Sequence, residues 1–256
     1  MKVGLAFAAS IAWERENSLE LIKTAETAGF ESVWCGEHVI LPDTIISKYP
    51  YTDDGKIPAT ADTAIPDPLI WLAFAAAASS TLRLGTCILI VPQRNPLVLA
   101  KELATLDRIS DGRVELGLGV GWLKEEFDAL GVPWEARGAR NDEYVAAMRA
   151  LWREPHVEFH GKYVDFDKVT CSPRPVNGSI PVIVGGDTDA ALRRAARHAD
   201  GYFPGEGDPK KLAELIGRLH AEAEKIGRDP AEIKINIMFG AQMADPAAGI
   251  AELKAL

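Results

Sequence analysis

One histidine of the chain lies where α/β enzymes usually place their catalytic groups. His38 directly follows the run Trp34-Cys-Gly-Glu, at the carboxyl end of a predicted strand over residues 32–35. An imidazole there can donate or accept a proton near neutral pH. From its position alone, His38 could equally serve to hydrogen-bond the adjacent loop. The other histidines flank a predicted surface hairpin or lie in helices with polar neighbours, and we expect them to be solvated: His156, His160, His198 and His220.

A second candidate is the turn within Pro181-Val-Ile-Val-Gly-Gly-Asp-Thr-Asp, between a predicted buried strand and a helix. Exposed N–H groups at a helix N-terminus can hold a phosphate, and Gly185 and Gly186 would let its oxygens approach the backbone. Thr188 or an aspartate would cap the helix. The two aspartates favour a purely structural interpretation, because carboxylates repel an anion. The sequence leaves both interpretations open.

Three glycines alternate along Val114-Glu-Leu-Gly-Leu-Gly-Val-Gly-Trp. Gly117, Gly119 and Gly121 form a GxGxG pattern that lacks the spacing of the dinucleotide fingerprint, and no acidic residue ends an adjacent strand about 20 residues on. We interpret the missing side chains as room for a flat ligand at the strand end, with Trp122 beside it. A tryptophan at this position could also belong to the core.

Most familiar catalytic motifs are missing from the sequence. It contains no HExxH, GxSxG, GxxxxGK[ST] or EF-hand pattern, and no paired-histidine metal motif. The cysteines Cys35, Cys87 and Cys171 are odd in number and widely spaced, which argues against a disulfide framework and against a zinc site. The first two lie in apolar strands, where buried and inert thiols are expected. Acid–base or redox chemistry on a bound cofactor remains.

Composition narrows the possible partners. The chain has 256 residues, 47% of them hydrophobic and 25% charged, as in ordinary globular proteins. Its net charge of −9 makes nucleic acid an unfavourable partner. The apolar runs at residues 3–9 and 69–78 are too short to span a membrane, and no basic region precedes the first. We therefore expect no signal peptide, no membrane association and a cytoplasmic location.

Short β-rich runs alternate with helical segments along the chain. Strands are predicted at residues 3–7, 32–35, 82–91, 114–120, 181–184, 201–203 and 233–239. Helices are predicted at residues 18–28, 67–79, 96–109, 141–152, 189–198, 210–226 and 246–256. This alternation implies parallel strands joined by right-handed crossovers, in a doubly wound sheet or a (β/α)8 barrel. A barrel needs an eighth strand, which we expect to be missing or truncated because the sequence ends within the last predicted helix.

Two stretches interrupt this regular pattern. Residues 39–66 are rich in Pro, Asp, Thr and Tyr without clear periodicity, and loops of that length are usually lids or binding loops. We therefore predict a lid there. Residues 155–180 alternate around a glycine and continue into a proline-rich connection, which predicts a surface β-hairpin.

Five stretches in order resemble the bacterial-luciferase-like (luciferase-like monooxygenase) family of barrel oxidoreductases. They are Ala28-Gly-Phe-Glu-Ser-Val-Trp-Cys-Gly-Glu-His, Leu84-Gly-Thr-Cys-Ile-Leu-Ile-Val-Pro-Gln-Arg-Asn-Pro, Thr105-Leu-Asp-Arg-Ile-Ser-Asp-Gly-Arg-Val-Glu-Leu-Gly-Leu-Gly-Val-Gly-Trp, Pro181-Val-Ile-Val-Gly-Gly and Ala199-Asp-Gly-Tyr. The resemblance covers nearly the whole chain. It implies a single TIM-barrel domain over residues 1–256 and a flavin or deazaflavin coenzyme. The run Gly-Val-Gly-Trp-Leu-Lys-Glu-Glu-Phe looks most like the subgroup that uses coenzyme F-420, a deazaflavin.

The resemblance also implies roles for individual residues. His38 would lie over the cofactor ring as the proton-transfer group, and a non-proline cis peptide between Cys87 and Ile88 would form a bulge against the other face. The residues expected to line the cofactor are Gly119, Val120, Gly121, Trp122 and Glu125, and those expected to meet its phosphate are Gly185, Gly186 and Thr188. Without the resemblance, the phosphate and capping interpretations of the last three stay open.

Several functions remain open at this stage. The first is hydride transfer between coenzyme F-420 and a small organic substrate, and the second is an FMN-dependent monooxygenase that uses oxygen. A cofactor-binding relative without turnover and a metal-free lyase or isomerase are the alternatives of other classes. Relatives and the apolar helix at residues 69–78 suggest a homodimer. We expect no metal, and the sequence does not identify the substrate.

Overall fold

A computed structural model of the chain describes residues 2–60 and 62–238. The chain forms two compact units, residues 1–180 and residues 181–256. The first contains His38 and the alternating glycines, and the second contains the turn at Gly185 and Gly186. The assignment of residues 1–256 to one luciferase-like domain stays a prediction.

Five strands of the first unit are parallel to one another. They are β1 (Gly4–Leu5), β2 (Ser32–Cys35), β3 (Arg83–Thr86), β4 (Leu89–Ile90) and β5 (Val114–Gly119). β2 lies between β1 and β3, and both β3 and β4 pair with β5. All four residues of β2 are buried, as expected for a strand covered on both faces. The carboxyl ends of β2, β4 and β5 carry the candidate site.

Helices follow the strands of the first unit. They are α1 (Ala8–Ile11), α2 (Arg15–Thr27), α3 (Pro68–Ala78), α4 (Pro96–Ile109), α5 (Lys124–Ala129) and α6 (Arg137–Arg153). α3 and α4 begin with the same local signal, an Asx cap followed by proline. The side chain of Asp67 accepts hydrogen bonds from two amides of the first turn of α3, and Asn95 does the same for α4. These caps explain why the sequence locates both helix starts well.

The two interruptions of the pattern have different structures. Residues 39–60 and 62–66 contain turns and bends but neither helix nor strand, and their role as a lid stays a prediction. Within residues 155–180, β6 (Val157–His160) and β7 (Asp165–Val169) form an antiparallel hairpin. Phe159 and Phe166 stack across it, with ring centroids 6.0 Å apart.

The second unit repeats the β/α alternation. Its parallel strands are β8 (Val182–Gly185), β9 (Gly201–Phe203) and β10 (Lys234–Ile235), and its helices are α7 (Asp189–His198) and α8 (Pro209–Glu224). The sequence predicts α7 and β9 with the bounds that the structure has. The predicted continuation of the last strand to Phe239, the helix at residues 246–256 and the absent eighth strand lie outside the described residues. In the described part of the chain, every helix is too short or too polar to cross a membrane.

The structure corrects the prediction of one continuous strand over residues 82–91. The strand is divided into β3 and β4 by Cys87 and Ile88, whose peptide bond is cis, as the family resemblance implies. Gly85 pairs with Glu115 and Leu89 pairs with Leu118. Four residue steps from β3 to β4 therefore match three steps along β5. The extra residue is a β-bulge, which redirects the strand at this point. The short helix α5 is a second feature that the sequence does not predict.

The alternating glycines make room for the protein itself, and the contact with a flat ligand that we predicted for them stays a prediction. A Cβ added at Gly117 would lie 1.8 Å from the carbonyl oxygen of Thr86, and one at Gly119 would lie 2.5 Å from Cδ1 of Ile88. Gly121 has a φ of 79°, and its Cβ would lie 2.7 Å from the ring of Phe127. Close packing around the bulge therefore accounts for all three.

Replacing Gly117 with alanine should destabilise the protein by about 3 kcal/mol or more, because the added methyl group would overlap a backbone carbonyl that cannot swing away. Gly217→Ala is the matched control, since Gly217 lies in α8 with no atom within 4 Å of the added Cβ. That variant should be more stable by about 0.5–1 kcal/mol. Urea unfolding of both variants measures the difference, and equal effects would refute the packing explanation.

Candidate active site

The imidazole of His38 is bound to a buried carboxylate. Nδ1 of His38 lies 3.1 Å from Oε2 of Glu126, with 11% of the histidine side chain and 0% of the glutamate side chain exposed. The other oxygen, Oε1, accepts hydrogen bonds from the amides of Val39 at 2.6 Å and Ile40 at 3.3 Å. One carboxylate therefore binds both the ring of His38 and the backbone that follows it.

Glu126 is a candidate site residue that the sequence does not predict. It lies in α5, on the helix face that also carries Leu123 and Phe127, both fully buried. Positions 123, 126 and 127 are spaced i, i+3 and i+4 and therefore share one helix face. Since the other two residues on that face are apolar, this spacing is the signal that could have predicted a buried Glu126. A carboxylate on a buried face needs hydrogen-bond donors, and His38 is one of them.

The neighbouring Glu125 binds the loop instead of facing the imidazole. Its Oε1 accepts hydrogen bonds from the amides of Ile46 at 2.7 Å and Ser47 at 2.9 Å. Burial works against ionisation of Glu125, but hydrogen bonds from the Ser47 side chain and from these amides outweigh it and lower its pKa to about 2. Its other oxygen, Oε2, is buried with no hydrogen-bond partner in the described part of the chain. The role in lining the cofactor that was predicted for Glu125 could therefore be performed only by Oε2, because Oε1 already binds the loop.

A chain of three aromatic rings begins at His38. Trp122 contacts His38 nearly perpendicularly, with ring centroids 5.8 Å apart, and contacts Tyr49 at 5.1 Å. Tyr49 in turn contacts Tyr51 at 5.4 Å. Burial raises the pKa of Tyr49, so its phenol stays protonated at neutral pH. Trp122 was predicted beside the ligand, whereas nothing in the spacing of residues 39–66 identified Tyr49.

A second buried acid ties the strand ends together. Glu37 accepts a hydrogen bond from the amide of Ile90 at 2.6 Å and forms an ion pair with Arg94. Arg94 also binds Asp67 at 2.8 Å, the cap of α3. Burial raises the pKa of Glu37, and the attraction of Arg94 opposes that rise. The residue before His38 therefore connects β2 to the segment that follows the cis peptide.

The cysteine thiols of this region are poor nucleophiles. Burial raises the pKa of Cys87 to about 12 and also raises the pKa of Cys35. The backbone of Cys87 contributes to the site through geometry, since its amide donates to the carbonyl of Cys35 at 2.7 Å. Cys87 and Ile88 are predicted to line the cofactor, and the bulge places them at the end of β3 beside β2.

The polar groups of the first unit fit a planar heterocycle with hydrogen-bonding edges. Gln93 ends the turn Val91–Gln93 that follows β4, and both its Oε1 and Nε2 are buried without a partner among the described residues. A carboxamide offers one acceptor and a donor group, as the pyrimidine edge of a flavin or deazaflavin requires. Oε2 of Glu125 and the Gln93 carboxamide thus offer hydrogen bonds that no other described residue satisfies.

The turn of the second unit is held mainly by its own contacts. Oγ1 of Thr188 accepts a hydrogen bond from the amide of Ala191 and so caps α7. The amide of Gly186 donates to the carbonyl of Phe203 at 3.2 Å, so it is already in use. Asp187 faces Gly205 and Tyr202, and burial raises its pKa. The capping interpretation of Thr188 is confirmed, and the phosphate role of Gly185, Gly186 and Thr188 stays a prediction.

The chain matches a known family over most of its length. The sequence profile described as luciferase-like monooxygenase aligns with residues 8–253. The chain belongs to the luciferase-like monooxygenase family. The predicted family, its barrel fold and its enzyme class are thereby confirmed.

Three proteins illustrate what this luciferase-like protein is similar to. The uncharacterized protein Rv0940c of Mycobacterium tuberculosis is 37% identical over 223 residues, 87% of this chain and 77% of the relative. The FMNH2-dependent dimethylsulfone monooxygenase of Pseudomonas putida is 32% identical over 155 residues, 59% of this chain and 42% of the relative. The structure of the coenzyme F-420-dependent tetrahydromethanopterin reductase of Methanopyrus kandleri is 25% identical with a TM-score of 0.72, covering 92% of this chain and 65% of that one. Both flavin and deazaflavin enzymes are thus among its relatives.

The thiols of the native protein should react slowly with Ellman's reagent at pH 8, because burial raises the pKa of each of the three cysteines. We expect less than one thiol to react within minutes before unfolding and all three after unfolding in guanidinium chloride. Rapid reaction of the native protein that is lost in a Cys87→Ser variant would show instead that this thiol is accessible and reactive.

Removing the positive partner of Glu37 should be costly and pH-dependent. Arg94→Leu leaves a buried acid without its counter-charge, which should destabilise the protein by about 3–5 kcal/mol at pH 7.5. Burial already raises the pKa of Glu37 in the folded protein, and the variant lacks the attraction of Arg94 that opposes this rise. The Glu37 carboxylate of the folded variant therefore binds a proton as the pH falls. The loss of stability should therefore be smaller at pH 5 than at pH 7.5.

Urea unfolding at the two pH values measures this difference. Lys225→Leu is the control, since the Lys225–Glu222 pair is on the surface and its loss should change stability little at either pH. A loss for Arg94→Leu that is equal or larger at pH 5 would contradict the assigned ionisation of Glu37.

Proposed function

We propose that this luciferase-like protein transfers a hydride between coenzyme F-420 and a small organic substrate, with His38 as the proton-transfer group. The observation that supports this proposal most strongly is the largely buried His38–Glu126 pair. His38 of this pair contacts Trp122, and the pair lies at the carboxyl ends of parallel strands. Hydride transfer to or from a carbonyl or alcohol also moves a proton, and a positioned imidazole performs that step near neutral pH. Two other ionisable side chains of the candidate site, Tyr49 and Cys87, are poorly suited to this proton transfer, because burial raises the pKa of both.

The bound coenzyme would supply the hydride acceptor or donor, which no side chain can provide. The chain's own residues would orient the ring and the substrate. The backbone at Cys87 and Ile88, together with Gly119, Val120, Gly121 and Trp122, would support the ring, and the carboxamide of Gln93 would bind a polar edge. His38 would hold or release the proton, while Trp122 and Tyr49 exclude water from the reacting atoms.

One observation supports the deazaflavin over the flavin, namely the family subgroup that the run from Gly119 to Phe127 resembles. The similarity to an F-420-dependent reductase, which covers 92% of this chain, agrees with that choice but does not distinguish the two cofactors, because a monooxygenase structure is similar over 100% of the chain. Gly185, Gly186 and Thr188 are proposed to contact the coenzyme phosphate through the first turn of α7, where backbone amides and the helix dipole favour an anion.

A flavin monooxygenase is the second candidate function. The FMNH2-dependent relative supports it, being more similar in sequence than the F-420-dependent structure although it aligns with a smaller share of the chain. In that case the same residues would bind reduced FMN, and oxygen would be a substrate. A relative that binds the coenzyme without turnover is the outcome if neither activity is found.

Location and assembly are part of the proposal. We place the enzyme in the cytoplasm, as a homodimer acting on a small molecule. The helix from which the dimer was predicted, α3, uses Trp71, Leu72 and Ala75 for its own core, and Ile70 is its large exposed apolar side chain, 75% exposed. A dimer through α3 would therefore be centred on Ile70.

Titration with each oxidised coenzyme tests the function directly. We expect coenzyme F-420 to bind at micromolar concentration or tighter, measured by quenching of its fluorescence, and FMN to bind at least about tenfold more weakly, a difference of about 1.4 kcal/mol. Tighter binding of FMN, with oxygen uptake when it is reduced, would support the monooxygenase instead. If neither coenzyme binds, the proposal fails in both forms.

His38→Ala should lower kcat by about 10²–10⁴-fold, because it removes the proton-transfer group. Coenzyme affinity should change much less, since ring support comes mainly from the backbone near the bulge. His160→Ala is the control, because His160 is exposed on the hairpin and its neighbour is Asp165. A His38→Ala enzyme with the activity of the control would remove His38 from the reaction.

A further inference from the structure

We propose that Glu126 is a positioning residue that fixes the tautomer of His38, so that Nδ1 carries the hydrogen and Nε2 is the atom that exchanges the proton. The tautomer assignment stands on the contacts of Glu126 alone. Its consequence for turnover rests on the function proposed above.

Two of the groups around the carboxylate of Glu126 can only donate hydrogen bonds. Val39 and Ile40 present main-chain N–H groups to Oε1 of Glu126, and an amide N–H has no lone pair to accept with. These hydrogen bonds favour the ionised carboxylate. An ionised carboxylate can only accept, so its remaining oxygen needs a third donor.

Nδ1 of His38 is the atom placed to be that donor. It lies 3.1 Å from Oε2 of a side chain that is 0% exposed. A neutral imidazole has one N–H, and placing it on Nδ1 leaves the lone pair on Nε2. In the opposite tautomer, the lone pair of Nδ1 would point at a lone pair of the buried carboxylate, and the two would repel each other. Glu126 therefore makes Nε2 the basic atom of the resting enzyme.

Glu126→Gln should reverse this arrangement. The amides of Val39 and Ile40 still need an acceptor, and the glutamine offers only its single oxygen for that purpose. Its NH2 group is then turned toward His38, where Nδ1 must accept and the hydrogen moves to Nε2. The variant retains the volume and the backbone contacts, yet presents an imidazole with the wrong nitrogen protonated.

Glu125→Gln is the matched control for the tautomer. Glu125 is the preceding residue of the same helix and likewise accepts hydrogen bonds from two amides of the loop, those of Ile46 and Ser47, but it binds the loop rather than the imidazole. The same substitution there should leave the hydrogen of His38 on Nδ1. Glu126→Asp is a second variant, because a shorter carboxylate still requires Nδ1 to donate.

The test is a long-range 1H–15N correlation spectrum of the coenzyme-free protein labelled with 15N-histidine, recorded at pH 8. The chain has five histidines, and His38→Asn identifies the signals of His38 by their loss. We expect the Nδ1-protonated form in the wild type, Glu125→Gln and Glu126→Asp, and the Nε2-protonated form in Glu126→Gln. An Nε2-protonated wild type overturns the proposal whether or not the variants fold, and so does a Glu126→Gln spectrum with the wild-type tautomer.

Turnover then separates this inference from the proposed function. If both hold, Glu126→Gln lowers kcat about 10²-fold with coenzyme affinity unchanged, and combining it with His38→Asn causes no further loss beyond His38→Asn alone. Reversal of the tautomer with unchanged turnover would leave the role of Glu126 intact and reject His38 as the proton-transfer group. A wild-type tautomer opposite to the one expected would reject the role of Glu126, whatever coenzyme is bound.

Discussion

A single buried carboxylate organises the site. Glu126 accepts hydrogen bonds from the amides of Val39 and Ile40 and binds Nδ1 of His38, so three groups from consecutive residues converge on one side chain. An ionised carboxylate without partners is strongly disfavoured in the protein interior. Losing these hydrogen bonds would therefore cost free energy, which keeps Glu126 and His38 together. Because Glu126 lies in the helix after β5 and His38 follows β2, this contact fixes the imidazole relative to Trp122 and the end of β5.

Two more glutamates make similar connections around it. Glu125 holds the loop at Ile46 and Ser47, which carries Tyr49 toward Trp122, and Glu37 joins the end of β2 to the amide of Ile90. Glu125 and Glu126 accept main-chain hydrogen bonds from a loop without helix or strand, and Glu37 accepts one from the short strand β4 that follows the bulge. The loop and the bulge thereby obtain hydrogen-bond partners that a helix or strand would have supplied from its own backbone. Acidic side chains here act as structural acceptors, which explains their presence beside a proposed coenzyme that is itself anionic.

The sequence predicted those parts that depend on local signals. Asn95 and Pro96 mark the start of α4, Thr188 caps α7, and both helices have the predicted bounds. The family resemblance added the cis peptide at Cys87 and Ile88, which periodicity alone had treated as part of a continuous strand. Tyr49 could not be identified, because it reaches Trp122 through long-range packing. Glu125 was chosen over Glu126 because adjacent glutamates look alike until the buried face of a short, unpredicted helix is known.

The proposed site binds a planar redox coenzyme beside His38, with the Cys87–Ile88 bulge at the other face of the ring. A crystal structure of the protein with oxidised coenzyme F-420, or with FMN if that binds more tightly, would show where the ring lies. We expect ring atoms in contact with the backbone of Cys87 and Ile88 and within hydrogen-bonding reach of the Gln93 carboxamide, with His38 still bound to Glu126. A ring bound elsewhere, or a His38 that has left Glu126 and faces away from the ring, would contradict this expectation.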